Sequence, residues 1–305
     1  MSVVLFGYGD MGRTAYRVLR GLGVSVPAVF THRDDPGETR WFGSLAELAD
    51  GDGVPVFAPE DVNRPEWVAQ IRDLAPDVIL SCYYRRMIGE EILRLPRIAA
   101  LNLHGSLLPR YRGRCPVNWQ ILHGEREGGV TLHHMVRQAD AGDIVGQRAV
   151  PIAETDTALD LFRKCEQAAA ELLREMIPRV LDGTAPRVPQ DSSRATYFGG
   201  RRPEDGRIDW SWPARRIYNL VRAVAWPYPG AFGFLRGRRL IVWWAEPAPA
   251  APGPAPPGTV LEGGAAPVVA AGEGALRLVT VSEAGAGPDT PLDLAALVRP
   301  GDRFE

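Results

Sequence analysis

Three polar side chains in the middle of the chain have the types and spacing that acyl transfer to an amine requires. Asn102 and His104 lie two residues apart in an apolar run, so in a β-strand both project from one face. An Asn amide can donate to the oxyanion of a tetrahedral intermediate, and a histidine can accept the proton of the attacking amine. A carboxylate beside the imidazole orients it and raises its basicity, and Asp140 is the candidate.

Other interpretations of the histidines stay open at this point. A short motif such as Asn-x-His has a high false-positive rate, and the same pair also occurs in purely structural strands. His133 and His134 are adjacent, so on a strand they face opposite ways, and we expect a packing or solvent-exposed role for both. We expect His32 in a surface turn.

The overall composition is that of an ordinary soluble globular protein. Of 305 residues, 45% are hydrophobic and 24% are charged, and the formal net charge is -2. This balance gives no global attraction to nucleic acid or to an anionic membrane. No signal peptide and no apolar run near the ~20 residues that span a bilayer is found, so we expect a cytoplasmic protein. The three separated cysteines predict no metal site and no disulfide framework.

Short apolar runs alternate with segments of helical periodicity through the first half of the chain. The runs lie at residues 3–6, 26–30, 54–57, 78–80 and 98–103. This alternation predicts parallel strands joined by helices. Ligands of such sheets bind outside the carboxyl ends of the strands, which is where Asn102 and His104 lie.

The second half of the chain has a different pattern. Residues 185–203 are rich in Pro, Ser, Gly and Arg, and they are followed by short strand-like runs broken by Gly and Pro. We therefore predict an α/β fold with a Rossmann-like, mostly parallel sheet flanked by helices in residues 1–184. A linker (185–203) and a small β-barrel-like, OB-like domain (204–305) follow. Residues 248–258 are expected to form a surface loop.

Three glycines after the first apolar run match the Gly-x-Gly-x-x-Gly pattern of dinucleotide sites, namely Gly7, Gly9 and Gly12. Such a site also requires an acidic residue at the tip of the second strand. Here Asp34 and Asp35 come later, within a turn-like Asp-Asp-Pro-Gly segment. We interpret the glycines as a tight strand-to-helix turn, and an NAD-dependent oxidoreductase is the alternative from another functional class.

Two separated blocks of sequence carry a family resemblance. They read Asn-Leu-His-Gly-Ser-Leu-Leu-Pro-Arg-Tyr-Arg-Gly at residues 102–113 and Ala-Asp-Ala-Gly-Asp at residues 139–143. In both, the chain resembles the folate-dependent formyltransferases, which transfer a formyl group from 10-formyltetrahydrofolate to an amine. The resemblance implies that Asn102 is the oxyanion donor, His104 the proton-transferring residue and Asp140 its carboxylate partner. It also implies a Rossmann-like domain followed by a smaller β-barrel domain.

The same resemblance implies a folate site. One part follows the run at residues 78–80 and is similar to a segment that contacts the pterin through backbone groups. The implied residues are Arg86, Met87, Ile88, Arg114, Val136, Arg137, Gln138 and Ala139.

One branch of the family shares further segments with the chain, at residues 116–119, 129–135, 198–203 and 226–232. It is the formyltransferase half of the bifunctional UDP-4-amino-4-deoxy-L-arabinose formyltransferase / UDP-glucuronate decarboxylase. The sequence ends where the decarboxylase half would begin, so this resemblance implies a stand-alone nucleotide-sugar formyltransferase. The acceptor sugar and the oligomeric state stay open.

Other amine acceptors are alternatives within the family. Methionyl-tRNA formyltransferase resembles the chain in the same catalytic blocks, and its substrate requires a basic surface. Residues 201–245 contain nine Arg against three acidic residues, an excess of +6, whereas residues 246–305 contain three Arg against eight, a deficit of -5. Because the two nearly cancel, we rank tRNA below a nucleotide sugar. An amino-acid or peptide amine is a further alternative.

Overall fold

The computed structural model describes residues 1–34, 39–249 and 255–305. Asp35, and residues 250–254 of the predicted surface loop, lie outside the described residues. The described chain forms two compact units. The first comprises residues 1–116, 127–151 and 162–199, and the second comprises residues 117–126, 152–161 and 200–305.

A seven-stranded sheet forms the centre of the first unit. Its strands are β1 (Val3–Gly7), β2 (Val29–Phe30), β3 (Val56–Phe57), β4 (Val78–Cys82), β5 (Ala99–His104), β7 (Glu127–His134) and β8 (Ile144–Pro151). They are ordered β3-β2-β1-β4-β5-β7-β8, with β1 to β5 parallel and β7 and β8 antiparallel. A short parallel pair is added by β6 (Arg112–Gly113) and β9 (Tyr197–Phe198).

The helices fall between the strands as the sequence pattern predicts. They are α1 (Gly9–Gly21), α2 (Leu45–Gly51), α3 (Pro65–Asp73), α4 (Glu90–Leu93), α5 (Pro116–Leu122) and α6 (Ala158–Leu181). The mostly parallel sheet with flanking helices is therefore confirmed. No helix among the described residues is both long enough and apolar enough to cross a membrane.

Burial explains why β1 and β4 read as continuous apolar runs. Every residue of both strands is buried, as expected for central strands of a sheet covered on both faces.

The turn from β1 into α1 is tight, because a Cβ on Gly7 would lie 2.9 Å from Leu45 Cδ2, and a Cβ on Gly12 would lie 3.1 Å from the Gly7 carbonyl carbon. These glycines thus have a packing role in the strand-to-helix turn.

The segment predicted as a linker, residues 185–203, is divided between the two units. Val188 forms an isolated bridge with Ile144, and β9 pairs with β6, so residues 185–199 lie in the first unit. Residues 200–203 begin the longest segment of the second unit.

The second unit contains a five-stranded antiparallel sheet. Its strands are β10 (Ala231–Leu235), β11 (Arg238–Ala248), β12 (Val260–Glu262), β13 (Val268–Ala270) and β14 (Ala275–Glu283), in the order β10-β11-β14-β13-β12. The unit also contains α7 (Ala214–Val224) and α8 (Leu294–Leu297). The predicted small β-domain is therefore confirmed.

The last residues of the chain connect the two edge strands of this sheet. Phe234 of β10 exchanges backbone hydrogen bonds with Glu305, while the Phe304 N–H donates to the Gly258 carbonyl and the Val260 N–H of β12 donates to the Asp302 carbonyl. These bonds close the sheet into a barrel and satisfy groups that an open edge exposes.

Replacing Phe304 by Ala is expected to destabilise the second unit by about 3–5 kcal/mol, because a large buried side chain at the closure is lost. Phe304 is 2% exposed and packs on Trp210 with ring centroids 5.5 Å apart. Urea unfolding followed by tryptophan fluorescence measures the change. The control is Arg303→Ala, an exposed neighbour. Equal stability of the two variants would show that the closure contributes little.

Candidate active site

Two neighbouring strands and one loop bring the predicted catalytic residues together. Asn102 and His104 lie on β5, where they pair in register with His133 and Thr131 of β7. The chain then leaves β7 and turns back, so that Asp140 lies beside both β5 side chains. The structure thus assembles Asn102, His104 and Asp140, which are separated by up to 38 positions in the sequence.

The Asp140 carboxylate is surrounded by four polar groups. Its Oδ2 accepts a hydrogen bond from the Gly113 N–H at 2.8 Å and lies 3.6 Å from His104 Nδ1. Its Oδ1 lies 3.3 Å from Asn102 Nδ2 and 3.4 Å from His133 Nε2. Burial by itself raises the pKa of Asp140, but His104, His133 and the Gly113 N–H together hold it well below the usual range. This carboxylate is therefore ionised at neutral pH.

The two ring nitrogens of His104 have different partners. Nε2 lies 2.7 Å from the Tyr111 carbonyl oxygen, which can only accept, so Nε2 carries the hydrogen in the neutral ring. The lone pair is then on Nδ1, the atom that faces Asp140. Burial lowers the pKa of His104 below its ordinary value of 6.5, although Asp140 and the Tyr111 carbonyl act in the opposite direction. His104 is thus a neutral base whose protonated form has a carboxylate next to it.

This arrangement differs in one respect from the one expected from the sequence. A Ser-His-Asp triad uses the carboxylate to hold the N–H of a neutral imidazole. Here a backbone carbonyl, that of Tyr111, holds the N–H, and the basic nitrogen faces Asp140. Tyr111 has a positive φ of 60°, in a loop that the cis Leu108–Pro109 peptide precedes.

His133 is part of this site, and sequence reasoning missed it. The ring is 1% exposed, and its Nε2 lies 3.2 Å from Asn102 Nδ2. Side-chain alternation correctly places His133 and His134 on opposite faces of β7, but it does not show which β5 residue lies opposite each of them. Only the register of the two strands places His133 opposite Asn102.

Gln190, from the segment predicted as a linker, joins the two catalytic blocks. Its Nε2 donates to the carbonyls of Asp140 at 2.8 Å and of Gly142 at 2.6 Å, and its Oε1 accepts from Arg112 Nη2 at 2.7 Å. The backbone that it holds is strained, because Asp140 has a φ of 54° without being glycine. No local sequence signal marks a glutamine for this role.

The loop after β4 contains the predicted pterin segment, Arg86 to Ile88. The side chain of Asn63 donates to the Met87 carbonyl at 3.0 Å and accepts from the Gly89 N–H at 2.6 Å, which fixes the loop. In the described part of the chain, the backbone N–H and C=O of Arg86 and Ile88 have no protein partner. The segment therefore offers backbone donors and acceptors to a ligand.

His32 also fixes this loop, and it is not the surface turn residue that we expected. Its ring stacks on Tyr84 with centroids 4.2 Å apart, and its Nε2 accepts the Arg85 N–H at 2.9 Å. Burial lowers the pKa of His32 to about 4, with further contributions from Arg86 and Arg85.

The other predicted folate residues lie on exposed loops. Arg137 lies 3.9 Å from Glu90, which begins α4 directly after the 86–88 segment, so the segment at 136–139 approaches that loop. The Gln138 side chain donates to the Tyr197 hydroxyl at 2.6 Å. The backbone N–H of Arg114 donates to the Phe198 carbonyl, which fixes the backbone at this position. Among the described contacts, none joins the Arg114 guanidinium to the other predicted folate residues.

These loops expose both apolar and cationic side chains. Met87 is 59% exposed and Val136 is 42% exposed, and both are apolar. Arg86, Arg114 and Arg137 are exposed cations, suited to carboxylates. Among the residues that the structure describes, no group of three or more His, Cys, Asp or Glu side chains is arranged to hold a metal ion.

Comparison with known families identifies both parts of the chain. Residues 2–177 match the family model described as formyl transferase, and residues 201–295 match the model of the formyl transferase C-terminal domain.

Solved structures with the same fold include three informative examples. The N-formyltransferase from Helicobacter canadensis, in complex with folinic acid and dTDP-3-aminofucose, is 20% identical with a TM-score of 0.71, covering 92% of this chain and 99% of that one. WlaRD, a sugar 3N-formyl transferase solved with dTDP and 5-N-formyl-THF, is 18% identical with a TM-score of 0.71, and the match covers 94% of this chain and 98% of that one. HypX from Aquifex aeolicus, in complex with tetrahydrofolic acid, is 20% identical with a TM-score of 0.63, covering 92% of this chain but 44% of that one.

Lowering the pH should destabilise the protein partly through His32. The pKa of His32 is about 4 in the folded chain, below its ordinary value of 6.5. Between pH 6.5 and pH 4 the unfolded chain therefore binds more protons than the folded chain, and the free energy of unfolding decreases as the pH is lowered. The variant His32→Gln keeps an acceptor near Nε2 but does not titrate. Urea unfolding at pH 6.5 and pH 4.5 should show a smaller loss for this variant than for the wild type. Equal losses of stability in the two proteins would show that His32 does not contribute to the destabilisation at low pH.

The variant Gln190→Glu is expected to lower kcat for formyl transfer roughly 10- to 100-fold, since small displacements of catalytic groups have effects of this size. Glu keeps an acceptor for Arg112 but presents an oxygen to the two carbonyls that Gln190 holds. The control, Arg194→Ala, changes a nearby exposed residue. Wild-type turnover by Gln190→Glu would contradict the role assigned to this side chain.

Proposed function

The chain belongs to the formyl transferase family, and on that premise we propose that it transfers the formyl group of 10-formyltetrahydrofolate to the amine of a nucleotide-linked amino sugar. The observation that carries the proposal is the close grouping of Asn102, His104 and Asp140 at the end of β5, with His104 buried. It contains a hydrogen-bond donor, a neutral base and a carboxylate within one small volume.

Each residue of the group has a role that follows from its contacts. As the amine nitrogen forms a bond to the formyl carbon, His104 Nδ1 accepts the proton that the amine loses, and the ionised Asp140 stabilises the imidazolium that results. The bond between the formyl carbon and N10 of the folate then breaks, and N10 takes up a proton as tetrahydrofolate leaves. Asn102 Nδ2 donates to the oxygen of the formyl group as negative charge develops on it. Burial of His104 and Asp140 strengthens these interactions, because the surroundings screen them less than water does.

A formyl folate as donor is supported by the ligands of the similar structures and by the loops beside the site. Folinic acid, 5-N-formyl-THF and tetrahydrofolic acid are the folates in the three structures described above. In this chain, the free backbone groups of Arg86 and Ile88 suit a pterin ring, and Arg114 and Arg137 suit carboxylates of a tail. The folate supplies the formyl group, and these residues bind and orient it.

A nucleotide sugar as acceptor is supported by two observations. The Helicobacter canadensis structure contains dTDP-3-aminofucose, and WlaRD is a sugar 3N-formyl transferase. Four segments of this chain resemble the branch that acts on UDP-4-amino-4-deoxy-L-arabinose. We therefore place a UDP-linked 4-amino sugar first among the acceptors and a dTDP-linked amino sugar second.

The described surface of the second unit gives little support to a tRNA acceptor. Its local excess of arginine is compensated in part, because Arg215, Arg236 and Arg238 form ion pairs with Glu154, Asp302 and Glu283. Arg222 is only 4% exposed, so it offers no charge to a phosphate backbone. These four arginines therefore add little to the unpaired charge on which nucleic-acid affinity depends.

The proposal is tested by incubating the protein with 10-formyltetrahydrofolate and separate amines, followed by mass spectrometry. The panel contains UDP- and dTDP-linked amino sugars, methionyl-tRNA and free amino acids. We expect an added formyl group on a nucleotide sugar, with the UDP-linked 4-amino sugar turned over fastest. Formylation of methionyl-tRNA alone would overturn the acceptor assignment, and formylation of no amine would overturn the proposal.

With the preferred acceptor, Asn102→Ala should lower kcat by roughly 10²- to 10³-fold and His104→Ala by roughly 10²- to 10⁴-fold. The affinity for folate, measured by calorimetry, should change little, since neither side chain lies in the loops assigned to folate. Full activity of His104→Ala would contradict the proton-transfer role even if the acceptor were right.

A further inference from the structure

We propose that His32 and Asn63 are positioning residues for the folate. They hold the backbone at residues 85, 87 and 89, so that the backbone groups of residues 86 and 88 are already in place for a pterin ring before it binds. Residues 85–89 are called the pterin loop below. The inference rests on the proposed function, since this loop matters to the reaction only if it binds the folate.

His32 holds the first residue of the pterin loop. Its Nε2 lies 2.9 Å from the Arg85 N–H, and because a backbone N–H only donates, this ring nitrogen is the acceptor. The ring itself is fixed by packing, since it stacks on Tyr84 with centroids 4.2 Å apart, and Tyr84 packs edge-on against Phe6 of β1. The position of the Arg85 N–H is therefore tied to the centre of the sheet.

Asn63 holds the other end of the pterin loop from the segment that precedes α3. Its Nδ2 donates to the Met87 carbonyl at 3.0 Å, and its Oδ1 accepts the Gly89 N–H at 2.6 Å. A carbonyl only accepts and a backbone N–H only donates, so one orientation of the amide satisfies both. Asp61 fixes Asn63 in turn, because its Oδ1 accepts the backbone N–H and Nδ2 of Asn63, each at 3.0 Å.

The held positions alternate with the positions that are left for a ligand. Within residues 1–34, 39–249 and 255–305, no protein group bonds the backbone N–H or C=O of Arg86 and Ile88. The Ile88 side chain is 8% exposed and belongs to the apolar core, which prevents this residue from turning over. A loop that is fixed on both sides of each ligand-binding position loses little conformational freedom on binding, and this favours affinity.

Gly89 provides independent evidence that Asn63 must approach the pterin loop closely. Its φ of -71° and ψ of 157° are extended, so the backbone conformation does not require glycine. A Cβ at this position, however, would lie 2.8 Å from Asn63 Oδ1. The glycine therefore leaves room for the Asn63 side chain, and Gly89→Ala displaces that side chain without removing it.

The affinity for folinic acid, measured by calorimetry, tests the role of Asn63 without any turnover. Asn63→Asp keeps an acceptor for the Gly89 N–H but places an oxygen against the Met87 carbonyl, so we expect Kd to rise about 10-fold. Arg64→Gln changes the net charge equally at an exposed neighbour and should bind as the wild type does. Equal weakening in both variants would assign the effect to charge and overturn the role of Asn63.

Two variants of His32 separate its hydrogen bond from its packing. His32→Gln and His32→Leu both remove the aromatic ring, but only Gln retains an acceptor for the Arg85 N–H. We expect Kd for folinic acid to be about 10-fold higher for His32→Leu than for His32→Gln. Equal Kd values for the two variants would overturn the role of His32, because a residue that only packs gains nothing from an acceptor.

A double-mutant cycle tests whether Gly89 acts through Asn63. Gly89→Ala alone should weaken folinic acid binding about as much as Asn63→Ala does. In the Asn63→Ala background, Gly89→Ala should change Kd no further, since the side chain that it displaces is already absent. Additive losses would show that the Cβ at position 89 acts on the ligand directly, and would overturn the role of Asn63.

Kinetics with the preferred acceptor distinguish positioning of the folate from a loss of the chemistry. KM for 10-formyltetrahydrofolate should rise with Kd, while kcat stays within about 3-fold of wild type, because the variants leave Asn102, His104 and Asp140 unchanged. A fall in kcat at unchanged KM would contradict the proposal.

Failure of this inference can be told apart from failure of the proposed function. If the wild type does not bind folinic acid, the folate part of the proposed function is wrong, and the positioning roles are wrong with it. If the wild type binds and the variants of His32 and Asn63 bind equally well, the proposed function stands and the positioning roles alone are wrong. Thermal unfolding identifies any destabilised variant, and the variants at the other positions then decide the result.

Discussion

The ionised carboxylate of Asp140 is the group on which the rest of the site depends. It lies within 3.6 Å of the polar atoms of Asn102, His104 and His133, and it accepts the N–H of Gly113. A buried carboxylate is unfavourable unless hydrogen bonds and charges compensate it. Here the compensating groups include Asn102 and His104, the proposed donor and base, so the interactions that stabilise the charge also hold these two side chains in place.

The surrounding chain serves to keep this carboxylate where it is. Asp140 has a left-handed backbone conformation, and Gln190 holds its carbonyl from a segment 50 positions further along the sequence. Arg112 holds Gln190 in turn, and Arg112 and Gly113 together form β6. The two catalytic blocks are therefore connected through a third segment, and the geometry at Asp140 depends on all three.

The sequence predicts a large part of this arrangement. Side-chain alternation places Asn102 and His104 on one face, the apolar runs predict the parallel sheet, and the motif resemblance supplies Asp140. The position of His133 beside Asn102 does not follow from the sequence, because alternation assigns side chains to faces but does not identify the residue opposite on the neighbouring strand. Gln190 does not follow either, since its contacts depend on how a Pro- and Ser-rich segment returns to the first unit. His32 looked like a turn residue because its partners, Tyr84 and Arg85, are distant in sequence.

The most direct test of this account is the pH dependence of kcat/KM for the wild type and for Asp140→Asn. In the wild type, burial lowers the pKa of His104 below 6.5 while Asp140 raises it, so activity should fall on an acidic limb below pH 6.5. Removing the carboxylate should shift that limb to lower pH and reduce the plateau, because His104 protonates less readily and its cation has lost its partner. If the acidic limb came from protonation of the substrate amine, it would lie at the same pH in the wild type and in Asp140→Asn. An unshifted limb, or one shifted to higher pH, would contradict the account.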